Sequence, residues 1–116
     1  MEKQTKIPIG STKTLTEKDN GISIELNPGN RFELKLEGNP STGYTWEVIS
    51  IDLNIIKQID EPTFKSSSTA LGAGGEMTFH FQTVHVGQTS LNLAYHRPWE
   101  KNIPDEKTYQ VAIIIR

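Results

Sequence analysis

Apolar side chains in this chain fall on alternate positions, and no segment sustains the 3.6-residue spacing of an amphipathic helix. Ile22, Ile24 and Leu26 alternate with Ser23 and Glu25, and Phe32, Leu34 and Leu36 alternate with charged neighbours. Trp46 and Val48 continue the pattern, as do Met77, Phe79 and Phe81, then Leu91, Leu93 and Tyr95, and finally Tyr109, Val111, Ile113 and Ile115. A period of two means strands with one buried face. Turn formers punctuate the runs, as in NPGN at residues 27–30 and HVGQ at residues 85–88. Residues 22–26 and 31–38 are therefore expected to pair as antiparallel neighbours, and residues 76–84 and 89–95 as a second hairpin. Residues 53–59 read as a further strand, with a short helix as the alternative. Seven or eight short antiparallel strands over about 100 residues make an all-β sandwich.

The remaining composition narrows the partners. A chain of 116 residues, 34% hydrophobic and 22% charged, suits one compact domain. Residues 1–20 read as a flexible polar N-terminal segment and residues 21–116 as the domain. With 12 Lys and Arg against 14 Asp and Glu, the formal net charge of -2 offers no footprint for nucleic acid or an anionic membrane. Cysteine is absent, which excludes a disulfide staple, a thiol nucleophile and a Cys-based zinc site. The three His are scattered without metal-ligand spacing, and no cofactor or metal is expected. No apolar run reaches signal-peptide or membrane-span length. A cytoplasmic location is the simplest expectation, with a vesicular, lysosomal or secreted one if a leader has been removed.

Strands do not decide function, so the loops must. Connections in a sandwich alternate between its two ends, which lets the loops at residues 39–44, 65–75 and 96–106 share one end. In the first, Pro40 fixes its own φ and Gly43 accepts a positive φ, so the turn can hold Ser41 and Thr42 rigidly at its tip. In the second, Gly72, Gly74 and Gly75 leave backbone bare for another main chain to approach. In the third, Pro98 stiffens the chain beside Trp99, and an exposed Trp next to Arg97 has the composition of a binding anchor. None of the three combines an acid, a base and a nucleophile.

The three motifs, in this order, resemble those of the chagasin-type inhibitors of papain-like cysteine proteases. NPSTGY covers Asn39, Pro40, Ser41, Thr42, Gly43 and Tyr44; GAGG covers Gly72, Ala73, Gly74 and Gly75; RPWE covers Arg97, Pro98, Trp99 and Glu100. The resemblance extends from about Gly21 to the C-terminus and implies an immunoglobulin-like sandwich that acts as an inhibitor and not as an enzyme. It implies that Ser41, Thr42 and Gly43 sit at the tip of a wedge beside the protease's catalytic cysteine and histidine. Leu71 and the glycines that follow it match the loop on the non-primed side, with an apolar side chain toward the S2 pocket. Arg97, Pro98 and Trp99 match the loop on the primed side, and Tyr44 matches a support of the first loop. Ser41 departs from the family's usual Thr. The expected partners are papain-like proteases of the cathepsin L type, with no nucleic acid or membrane, and the chain acting as a monomer.

Blander readings stand beside these. Trp46, on a central strand, reads as core. Trp99 has packing over a sheet edge as its alternative, and GAGG alone would be a flexible linker. A phosphate-binding loop is poorly supported, because Glu76 and not Lys follows the glycines. His80 has the opposite parity to Met77, Phe79 and Phe81 and is expected to face solvent or a polar neighbour. Glu100, Asp105 and Glu106 read as a solvated loop edge. The alternative function is an immunoglobulin-like binding or adhesion module whose aromatic loops hold a carbohydrate or a receptor.

Overall fold

The computed structural model describes residues 12–66, 74–100, 104 and 107–116. Nine strands lie among them: β1 (Thr12–Leu15), β2 (Ser23–Leu26), β3 (Arg31–Gly38), β4 (Thr45–Ser50), β5 (Ile56–Gln58), β6 (Thr63–Ser66), β7 (Gly75–Thr83), β8 (Gly87–His96) and β9 (Lys107–Ile115). One sheet has the order β1-β3-β7-β5, with β6 also pairing with β7; the other has the order β2-β9-β8-β4. The inward sides of the two sheets close one core, in which Phe32, Leu34, Leu36, Phe79 and Phe81 meet Leu26, Leu91, Leu93, Tyr109, Val111, Ile113 and Ile115. The expected β-sandwich is therefore present, and the alternating runs present their apolar faces inward, except that Ile22 at the start of the first is exposed.

The expected pairing of neighbours is not. β2 runs parallel to β9, and β3 runs antiparallel to β7 in the other sheet, so residues 22–26 and 31–38 form no hairpin. β7 and β8 likewise belong to different sheets. Alternation says which face of a strand is buried, and it is equally satisfied by either sheet. NPGN hands the chain from one sheet to the other. Asn30, 0% exposed, holds that crossing: its side-chain oxygen accepts the Asn27 N–H at 2.8 Å. The neighbouring Thr83 hydroxyl donates to the Asn27 carbonyl at 2.6 Å, and the Thr83 N–H donates to the Asn30 carbonyl at 2.9 Å.

Two strands carry no alternation and escaped the sequence reading. β1 lies in the stretch expected to be flexible, yet it runs parallel along β3 and buries Leu15 completely. A single apolar anchor leaves no periodic signal. The chain then caps a short 3-10 turn (Glu17–Asp19), where the Thr16 N–H donates to Asp19 Oδ2 at 2.9 Å and the Thr16 carbonyl accepts the Tyr109 hydroxyl at 2.9 Å. Burial, with the Asp19 and Glu17 carboxylates adding to it, holds the Tyr109 hydroxyl well above the usual tyrosine range. β6 is exposed throughout and takes residues 65 and 66 from the expected second loop. β5 occupies only part of residues 53–59, which contain no helix. His80 faces Glu33 at 3.7 Å on the outer side of its sheet, beside a Lys35–Glu33 pair at 3.6 Å.

Asn30→Ala removes the acceptor of a part-buried backbone N–H. It should lower stability by about 1–3 kcal/mol, read as a lower denaturant midpoint with an unchanged m-value. A midpoint equal to wild type would mean that the crossing is held elsewhere.

Candidate functional site

Strand register decides where the loops emerge. Gly38, the last residue of β3, pairs with Gly75, the first of β7, and Ser66 at the end of β6 pairs with Gly75 too. Thr45 opens β4 opposite His96, the last residue of β8, while Tyr95 pairs with Lys107 at the start of β9. The β3–β4, β6–β7 and β8–β9 connections thus leave from one end of the sandwich, as expected. His96 belongs to a strand end and not to the loop that follows it.

The β3–β4 connection is a single 3-10 turn (Pro40–Thr42) with Asn39 as its N-cap and Gly43, at φ 85°, as its left-handed C-cap. Pro40 suits the first position of such a turn because its missing N–H has no partner to lose there. Asn39 organises the rest. Its side-chain oxygen accepts the Ser41 N–H at 3.1 Å and the Ser41 hydroxyl at 2.5 Å, and its carbonyl accepts the Thr42 hydroxyl at 2.7 Å and the Thr42 N–H at 3.1 Å. Ser41 and Thr42 are exposed, but both hydroxyls turn back onto the loop itself. The tip therefore offers backbone and small side chains in a fixed shape.

The β8–β9 loop is folded against this turn. Residues 97–100 close a turn of their own, with the Glu100 N–H donating to the Arg97 carbonyl at 3.0 Å. Arg97 Nε donates to the Thr42 carbonyl at 3.0 Å, its guanidinium lies 4.6 Å from the centre of the Tyr44 ring, and Nη1 meets Glu100 Oε2 at 3.3 Å. Trp99 covers Gly43 so closely that a Cβ there would stand 2.5 Å from the indole. Gly43 is needed twice, for its positive φ and for this contact. Trp99 nevertheless keeps 67% of its surface in water, and Pro98 is exposed beside it.

Of the glycine-rich motif, Leu71, Gly72 and Ala73 lie outside the described residues. Gly74 and Gly75 form the stem of that loop and are closely packed. A Cβ on Gly74 would lie 3.2 Å from the Gly38 carbonyl, and one on Gly75 would run into the Lys65 carbonyl and the Phe64 ring. The two aromatics flanking the first turn behave as expected. Trp46 is 5% exposed and donates its indole N–H to the Glu37 carbonyl at 2.9 Å. Tyr44 stacks on Tyr95, with ring centres 5.3 Å apart, and so braces the turn from below. Arg97 is the residue whose placement differs most from a simple protease contact, since its guanidinium is engaged within the chain. Tyr95 was legible only as a member of an alternating face; its hydroxyl accepts the Asn39 N–H at 3.0 Å, which no local motif signals.

The comparisons with known proteins agree with this geometry. A family model described as "Chagasin family peptidase inhibitor I42" matches residues 25–113. Chagasin of Trypanosoma cruzi is 29% identical over 103 residues, covering 85% of this chain and 94% of that protein. Amoebiasin-1 of Entamoeba histolytica is 28% identical over 103 residues, covering 89% and 99%. The crystal structure of the cysteine protease inhibitor EhICP2 from Entamoeba histolytica superimposes with a TM-score of 0.82 at 26% identity, covering 90% of this chain and 96% of that one. The chain belongs to the chagasin family of peptidase inhibitors, a family of inhibitors and not of enzymes.

Proposed function

We propose that the chain inhibits papain-like cysteine proteases reversibly by laying its joined β3–β4 and β8–β9 loops across the catalytic cleft, with the β6–β7 loop alongside. The observation that carries this reading is the locking of Arg97 and Trp99 onto Thr42, Gly43 and Tyr44, which turns two loops into one stiff wedge. A preformed wedge loses little conformational entropy on docking. Ser41, Thr42 and Gly43 enter nearest the protease's cysteine and histidine, presenting backbone without a bond placed for attack. Leu71 and Gly72 take the non-primed side by the family's pattern, with Gly74 and Gly75 serving as the packed stem that carries them. Pro98 and Trp99 take the primed side, while Arg97, Tyr44 and Glu100 act chiefly by holding the wedge together. Three such loops can supply an interface of standard size, roughly 1,600 Å² in total. The family match disfavours the alternative of a carbohydrate- or receptor-binding module.

Titrating a cathepsin L-type enzyme with the purified chain should abolish peptide-substrate cleavage, with activity returning on dilution. Full cleavage at micromolar inhibitor would sink the reading. Trp99→Ala removes the most exposed aromatic of the wedge. A Trp side chain offers about 150–250 Å², so burying its exposed two-thirds at ~25 cal/mol/Å² is worth about 3 kcal/mol. Inhibition should weaken by on the order of 100-fold with the melting temperature little changed, and wild-type potency in that variant would refute the anchor role. Ser41→Thr keeps the hydroxyl that bonds to Asn39 and adds a methyl at an exposed tip. Potency should stay level or rise; a marked fall would show that the tip has no room for the methyl in the cleft.

A further inference from the structure

We infer that Tyr95 is a positioning residue for inhibition, fixing the β3–β4 loop against the β8–β9 loop before a protease arrives. The inference rests on the inhibitory reading above and adds a residue that touches no protease in it. Tyr95 is 8% exposed and lies at the base of the loop cluster. Its ring stacks on Tyr44 at 5.3 Å and leans on Trp46 at 5.1 Å, and Gly38 crosses its edge so closely that a Cβ there would stand 3.3 Å from Cε1. The Lys107 ammonium sits 5.5 Å above the same ring, and Tyr95 shares a cleft with Asn39, Gly74, Gly75 and Lys107. One side chain thus touches the stems of the β3–β4 and β8–β9 loops and faces that of the β6–β7 loop across the cleft.

The hydroxyl makes the decisive contact. It accepts the N–H of Asn39, the residue to which Ser41 and Thr42 are both bonded, so the tip hangs from Asn39 and Asn39 hangs from Tyr95. Two positions further along, Arg97 grips the other end of the same turn through the Thr42 carbonyl. The end of β8 therefore holds the wedge at both its entry and its exit. Removing the hydroxyl leaves the ring to fill the core but frees the entry. The loop then spends part of its time in arrangements that do not fit a cleft, and apparent affinity falls with the competent fraction. That loss belongs to association, whereas substitutions of contact residues act mainly on dissociation.

The experiment measures association and dissociation rate constants for papain with the full chain, wild type against Tyr95→Phe, with amide hydrogen exchange on both free proteins. Association should fall about tenfold, dissociation should stay within twofold, and the Asn39 amide should exchange at least tenfold faster while amides in the middle of β3 and β7 are unaltered. Trp99→Ala, run beside it, should instead raise dissociation. An unchanged association rate in a folded Tyr95→Phe, or a loss carried by dissociation, overturns the inference while leaving the inhibitory reading standing. Failure of the wild-type chain to inhibit papain overturns both. If Tyr95→Phe does not fold, wild-type exchange decides: an Asn39 amide slowed at least tenfold relative to an open peptide upholds the contact, and an unslowed one refutes it.

Discussion

One guanidinium joins two loops that the chain separates by 55 positions. Arg97 donates to the Thr42 carbonyl and lies over the Tyr44 ring, and the rest of the binding end is arranged around that junction. The backbone ladders stop below it, at Gly38–Gly75 on one sheet and Thr45–His96 on the other. Among the described residues no strand pairing continues above those pairs, and the chain is held there by hydrogen bonds within the turns and by side chains. Arg suits the task better than Lys because its planar fork can donate to a carbonyl and a carboxylate while stacking on an aromatic face. Glu100 completes the fork and keeps the charge paired.

The same economy governs the tip. A loop that enters an enzyme's cleft must expose polar backbone without being floppy, and its own hydrogen bonds reconcile the two demands. Both hydroxyls of Ser41 and Thr42 bond within the turn, so its shape does not depend on the partner. Ser at position 41 therefore retains what the loop requires of a hydroxyl there, and the methyl of the family's usual Thr bears only on the fit to the protease. The departure of Ser41 from the family's usual Thr is thus a matter of tip size.

What the sequence made legible follows from what leaves a local trace. Alternation exposed the inward faces of six strands, and the turn chemistry of Asn39, Pro40 and Gly43 marked a rigid loop, because each depends on neighbours in the chain. The partners of those strands were misjudged: NPGN and HVGQ look like hairpin turns, yet both carry the chain between sheets. Asn30 and Thr83 settle the first crossing through contacts 53 residues apart, which no local window contains. β1 was hidden for a related reason, since Leu15 alone buries it and Tyr109, 93 positions away from Thr16, pins it. At the proposed site, the motifs named candidate residues but not how they pack on one another. Tyr44 read as a support and Arg97 as part of the primed-side loop, and neither motif signalled that the guanidinium lies over the Tyr44 ring.

That packing explains how an exposed indole is kept useful. A large apolar side chain in water is ordinarily free to rotate and pays entropy when a partner orders it. One part of the Trp99 ring already lies on Gly43, where a Cβ would be too close, and that contact lowers the cost. The remaining 67% of its surface faces outward in a direction set before binding. The conformation of Gly43 is in turn set by the turn that Asn39 caps. Orientation of the anchor is thus inherited, residue by residue, from the packed core: Trp46 and Tyr95 fix the loop stems, Asn39 and Arg97 fix the turn, and the turn fixes the face that Trp99 shows. A change at any earlier step alters how the ring is presented without altering the ring, so in the proposed wedge buried residues bear on affinity as well as exposed ones.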